Sequence, residues 1–371
     1  MRLLYIFFFL LYINWANAQG LPKGQYFEAG LHIGHVFKHS SKIIIPISQI
    51  RNTYGMELNW EAHTYGKKLW QEVGKYPRMG FVLSFQDFGD KRLGWGLGIM
   101  PHINLRFFKK DWFEMYGRMA MGLGYLSKFW DGYSNPDNNI IGSHLNNNTG
   151  FRIGFGIDAG KHIQLRPSFS FTHYSNAAAQ FPNLGINVLS FHMGVQYRNN
   201  PIEPNDIIHH KELPKRSKTL QLSVSTGGGI KEIGRTVRGP KYLTVVTSVD
   251  FGLFVVSNNR LKLGLTHEYS PSRSAFYSHN GSYSQKEVNA IAHGLLFYVE
   301  DEILLGHLGL IGQIGYYATQ ATVKFPFTRI GFRYYPLDPL KNRLAPYIGV
   351  RLKSHMITAE YFDVTIGVAM H

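Results

Sequence analysis

The chain has 371 residues, no cysteine, 17% charged and 15% aromatic residues, 39 glycines and a formal net charge of +15. Without cysteine there is no disulfide framework, which excludes the small stapled scaffolds of secreted proteins. The positive excess suggests an anionic partner; for an exported chain phosphorylated lipid or a charged membrane surface is a better candidate than nucleic acid.

The opening MRLLYIFFFLLYINWANAQG combines one arginine, an apolar run and Ala16-Asn17-Ala18. It reads as a signal peptide, residues 1–18, cut after Ala18 and too short for a retained membrane anchor. No later run approaches the length of a spanning helix. An exported, glycine-rich and aromatic-rich chain of this kind points to all-β structure.

From residue 27 onward, segment after segment alternates with period two. Trp95, Leu97 and Ile99 alternate with Gly94, Gly96 and Gly98. Phe151, Ile153, Phe155 and Ile157 alternate with Arg152, Gly154, Gly156 and Asp158. One face is bulky and apolar, the other small or charged. A soluble sandwich would bury the bulky face and carry fewer Gly and Arg opposite it. A small antiparallel transmembrane β-barrel turns the bulky face to lipid and fills its lumen with small and polar groups.

Eight strands are predicted at 27–37, 54–61, 78–87, 94–107, 112–125, 150–158, 163–175 and 186–197. Residues 199–218, with three prolines and dense charge, read as a linker. Eight more strands follow near 219–229, 242–257, 260–269, 288–300, 303–319, 327–335, 344–354 and 360–370. Two tandem eight-stranded units and one sixteen-stranded barrel both fit. Turns on the periplasmic side of a barrel are short, so the long linker favours two units.

If both ends of the first unit lie in the periplasm, its odd strands rise toward the outer leaflet. The seventh then delivers the stretch FSFTHYSNAAAQFPNLGIN, residues 169–187, to the cell surface. Counting by twos places His173 and Ser175 on the same face as Phe169 and Phe171, the lipid side. Asn187, on the lipid side of the eighth strand, is one strand away, at a spacing of roughly 5 Å. A hydroxyl becomes a nucleophile when an imidazole takes its proton and a third group holds that imidazole.

HYSN followed by PNLGIN resembles the active-site hairpin of the lipid A 3-O-deacylase (PagL-like) family, also described as acyloxyacyl hydrolases. The resemblance covers the first half, residues 19–198, and is concentrated in 166–187. It implies an outer-membrane barrel that hydrolyses an ester-linked acyl chain of lipid A without metal or other cofactor. Carried over, it makes Ser175 the nucleophile, His173 the base, Asn183 an oxyanion-stabilising group and Asn176 a shaper of the loop. Well-studied members carry Glu where this chain has Asn187, which can fix the imidazole tautomer but adds no negative charge.

Two further stretches stand out. NNIIGSHLNNNTG, residues 138–150, reads as a loop holding Ser143 and His144 that covers the hairpin, binds a headgroup or is plain surface. LKSHMITAEYFDVTIG, residues 352–367, carries His355, which with Arg351, Lys353 and Asp363 faces the lumen of a second barrel-like half, 219–371. The expectation is an outer-membrane serine esterase acting on lipid A or a related glycolipid, with lipopolysaccharide as partner and room for a homodimer. The alternative is a non-catalytic barrel with a structural or transport role.

Overall fold

The computed structural model describes residues 22–210, 219–233, 237–279, 281–319, 326–355 and 358–370. The expected signal peptide, 1–18, lies outside the described residues. Period-two alternation becomes sixteen antiparallel strands closed into two barrels rather than one. The first comprises β1 (Gln25–Val36), β2 (Thr53–His63), β3 (Arg78–Asp87), β4 (Trp95–Lys110), β5 (Phe113–Leu126), β6 (Leu145–Asp158), β7 (Ile163–Ser175) and β8 (Ile186–Asn199). It closes where β1 pairs with β8, Gln25 opposite Asn199 and Val36 opposite Val188.

The second comprises β9 (Gln221–Glu232), β10 (Lys241–Val256), β11 (Asn259–Tyr269), β12 (His293–Leu305), β13 (Leu308–Tyr317), β14 (Phe327–Tyr334), β15 (Leu344–His355) and β16 (Thr358–Met370). It closes where β16 pairs with β9, Val364 opposite Gly228. Short helices interrupt the loops: α1 (Leu69–Val73) between β2 and β3, and α2 (Pro271–His279) and α3 (Gln285–Ala292) between β11 and β12. Among the described residues no helix is long and apolar enough to cross a membrane.

The bulky faces point out. Leu31, Leu83, Ile153 and Phe169 are exposed on the first barrel, and Phe251, Leu263 and Ile366 on the second. The alternate positions fill the lumens with charges that must be paired, because a bare charge in a narrow, dry interior is costly. Arg166 lies 3.3 Å from Glu28 and 3.2 Å from Glu61, and Arg152 and Arg118 reach Glu57 at 2.7 and 2.8 Å. The second lumen holds Arg351–Asp363 at 2.7 Å and Lys353–Glu268 at 2.6 Å. The expected inward facing of Arg351, Lys353 and Asp363 is therefore met, while His355 pairs with Glu360 at 2.9 Å instead of Asp363. Glycines make room for this filling: a Cβ on Gly30 would come within 2.2 Å of His192 Nε2.

Two boundaries differ from expectation. β6 begins at Leu145, so the second part of the Asn-rich run, 145–150, is strand and not loop. β12 begins at His293 because residues 285–292 form α3, capped by the Ser284 side chain and Glu287. The long loops 37–52, 127–144 and 176–185 share one end of the first barrel, opposite the tight turns 111–112 and 159–162. Loop 64–77 is long at the turn end because the connecting segment docks on it. Ile208 N–H donates to Tyr65 O, and His210 N–H donates to the Glu72 carboxylate at 2.8 Å. Nearby, α1 meets the β12–β13 turn so closely that a Cβ on Gly306 would lie 2.6 Å from Trp70 Nε1.

Candidate functional site

The β7–β8 hairpin places the expected residues at the long-loop end. His173 pairs with Asn187 across the two strands. Its Nδ1–H donates to Asn187 Oδ1 at 2.5 Å. That bond fixes the tautomer and leaves the Nε2 lone pair free to take a proton. His173 is half-buried, and Ser175 and Asn187 are buried although both lie on the outward face. The loop folding back over them supplies the cover.

Ser175 Oγ is held from the loop side. Asn183 Nδ2 donates to it at 3.0 Å, Ala177 N–H donates at 3.2 Å, and Asn183 Oδ1 lies 3.2 Å away to accept the hydroxyl proton. Asn183 Oδ1 also accepts Asn176 N–H at 3.0 Å. Ala177 and Ala178 take positive φ values of 51° and 58°, a left-handed turn that non-glycine residues rarely adopt. Strain of that kind persists where surrounding contacts over-determine it. Here it aims the Ala177 N–H at the serine oxygen. Asn176 shapes the loop as expected: its Nδ2 donates to Ser143 Oγ and to Gln180 O, both at 2.8 Å.

The five expected residues thus form two hydrogen-bonded groups, His173–Asn187 and Ser175–Asn183–Asn176. Among the described residues His173 makes no hydrogen bond to Ser175; the serine hydroxyl is engaged by Asn183. Catalytic hydrogen bonds commonly tighten only when substrate is bound.

Ser143 belongs to this site through Asn176, while His144 stacks on Tyr125 with ring centroids 5.1 Å apart and plays a structural part. Loop 127–144 is a second wall. Ile141 bridges Asn183, and Ile140 O accepts Leu184 N–H at 2.8 Å. From the other side His39 Nε2 donates to Leu184 O at 2.8 Å.

Three neighbours escaped the sequence reading. Asn147 and Thr149 of β6 sit directly opposite Ser175 and His173. The alternation Leu145, Asn147, Thr149, Phe151 was the signal for them, hidden because Asn-rich runs read as loops. Gly185 has φ +85°, and a Cβ there would meet His173 Cε1 at 2.6 Å. Only glycine lets the backbone pass that close behind the imidazole.

Residues 53–196 match the model of the family described as lipid A 3-O-deacylase (PagL). No curated protein matches the chain. Among solved structures, the chain is similar to the outer membrane enzyme PagL, with 20% identity over 47% of this chain and 99% of that one, at a TM-score of 0.34. It is also similar to Neisserial surface protein A (NspA), with 9% identity over 47% of this chain and 97% of that one, at a TM-score of 0.34. The chain is an outer-membrane β-barrel protein.

Proposed function

We propose that the first barrel, whose residues 53–196 match the lipid A 3-O-deacylase (PagL) family model, is a serine esterase that removes an ester-linked acyl chain from lipid A. The observation that carries the reading is the pairing of His173 with Asn187 beside Ser175, on the lipid-facing side of the long-loop end. An acyl chain of the outer leaflet lies against that face, so substrate needs no path through the filled lumen.

In this mechanism Ser175 Oγ attacks the ester carbonyl as its proton passes to His173 Nε2. Asn183 Nδ2 and Ala177 N–H, which hydrogen-bond the serine oxygen, turn to the neighbouring carbonyl oxygen as its carbon bonds to Ser175 and receive the negative charge that develops there. His173 then protonates the departing sugar oxygen. Water, deprotonated by the same imidazole, attacks the acyl-enzyme; the free fatty acid leaves and Ser175 regains its proton.

Ser175→Ala removes the nucleophile without touching the strand pairing. The expected outcome is lipid A that keeps its full mass in cells expressing the variant and loses one hydroxyacyl chain in cells expressing the wild type. Equal lipid A spectra from cells with wild type and without the protein would overturn the proposal in favour of a non-catalytic barrel.

A further inference from the structure

Glu232 is the last residue of β9, and the parity of that strand makes its position anomalous. Leu222, Val224 and Ile230 share its face and point away from the second lumen, toward lipid. A carboxylate on that face at the rim should be solvated, yet Glu232 has 0% exposure. What covers it is the catalytic loop of the other barrel. Phe181 N–H donates to Glu232 Oε2 at 2.7 Å, and Glu232 N–H donates to Ala178 O at 3.1 Å. The second carboxylate oxygen accepts Gly239 N–H at 2.6 Å, from the β9–β10 loop.

One side chain therefore ties backbone groups of both barrels together, and the loop is gripped at two points three residues apart. Hydrogen bonds to an ionised acceptor are roughly twice as strong as neutral ones, and a buried carboxylate left unpaired is strongly disfavoured. The grip is supported at its margins. Lys241 Nζ donates to Gln180 Oε1 at 3.2 Å, and Arg238 pairs with Asp131 of loop 127–144 at 2.8 Å. Backbone N–H groups of Ser134 and Tyr133 hold the Asp131 carboxyl down at about 2, so it is charged opposite Arg238.

We propose that Glu232 of the second barrel is a positioning residue for the first barrel's esterase, clamping the loop whose Ala177 N–H and Asn183 side chain surround Ser175. The inference rests on the esterase reading above. Ala178, which Glu232 holds by its carbonyl, is one of the two residues in the left-handed turn, and Phe181 lies two residues before Asn183. Removing the carboxylate frees Phe181 N–H while the backbone bond from Glu232 N–H to Ala178 O remains, so the loop loses its anchor next to Asn183 and the oxyanion donors move away from the serine. The second barrel then serves as the mount for the 178–181 part of a loop whose 183–185 part is held by the first barrel.

The test compares full-length wild type, Glu232→Ala and Glu232→Gln in the outer membrane and in detergent. Heat-modifiable gel mobility establishes that each barrel pair has closed. Hydrogen exchange over residues 176–185 is the readout independent of catalysis: protection should fall in Glu232→Ala and less in Glu232→Gln, which keeps one acceptor oxygen. Unchanged protection overturns the clamp whether or not the protein deacylates lipid A. With an active wild type, kcat on lipid A should fall about tenfold to a hundredfold while KM stays within about twofold, because a misplaced donor weakens the transition state more than the ground state. A kcat unchanged in Glu232→Ala, despite lost protection, overturns the positioning role. If Glu232→Ala does not assemble, the isosteric Glu232→Gln carries both readouts.

Discussion

In the proposed esterase, Asn187 is the residue that would set how strongly His173 holds a proton. Its amide oxygen accepts the Nδ1–H and so orients the ring, which is the geometric half of what a third residue does in a triad. The electrostatic half, a negative charge facing the imidazolium, is missing. A hydrogen bond to a charged group is stronger than a neutral one by about 1–1.5 kcal/mol, and about 1.4 kcal/mol corresponds to a tenfold rate. Asn187→Glu should therefore raise kcat for lipid A deacylation by about tenfold with little change in KM, measured by fatty acid release from purified lipopolysaccharide. An unchanged or lower kcat would mean that the buried outward position cannot accommodate the charge.

At the scale of elements, the site depends on a loop behind it. Asn138 is fully buried and organises loop 127–144 by donating to Arg92 O at 2.9 Å and accepting Ile140 N–H at 3.2 Å. Ile140 O in turn accepts Leu184 and Gly185 N–H, the segment that passes behind His173. Removing one partner of a buried hydrogen bond costs about 1–3 kcal/mol. Asn138→Ala should cost that much in the local opening free energy of Leu184 and Gly185, read from their amide exchange, while the β7–β8 ladder keeps its protection. Exchange spreading equally through the ladder would show that loop and barrel open as one unit.

At the scale of the whole molecule, both lumens are packed with paired charges, which leaves the outward faces for chemistry and for contact with lipid. Ile153 lies in the middle of β6, exposed between Gly117 and Phe169 of the flanking strands. A charged side chain near the bilayer midplane costs about 2–4 kcal/mol in barrels of this type. Ile153→Arg should lower stability by that amount in denaturant titrations of protein refolded into bilayers. A loss below about 1 kcal/mol would place Ile153 near an interface instead of the midplane.

Alternation with period two is a local property, so the sequence alone determined the all-β class, the sixteen strands and the face on which His173, Ser175 and Asn187 stand. A side chain's face follows from counting along its own strand, and neighbouring strands of a meander are adjacent by connectivity. Tertiary structure decided what depends on distant segments. Closure after eight strands was favoured by the linker but settled only where β8 returns to β1 and β16 to β9. The extension of β6 to Leu145 depended on its ladder with β5 and β7, which overrode the turn preference of three consecutive asparagines. The use of Gly185 required the imidazole to be in place. The partnership of Glu232 with loop 176–185 joins segments more than forty residues apart, across two separately closed sheets; no spacing in the chain encodes it, because it arises only when the barrels stand side by side.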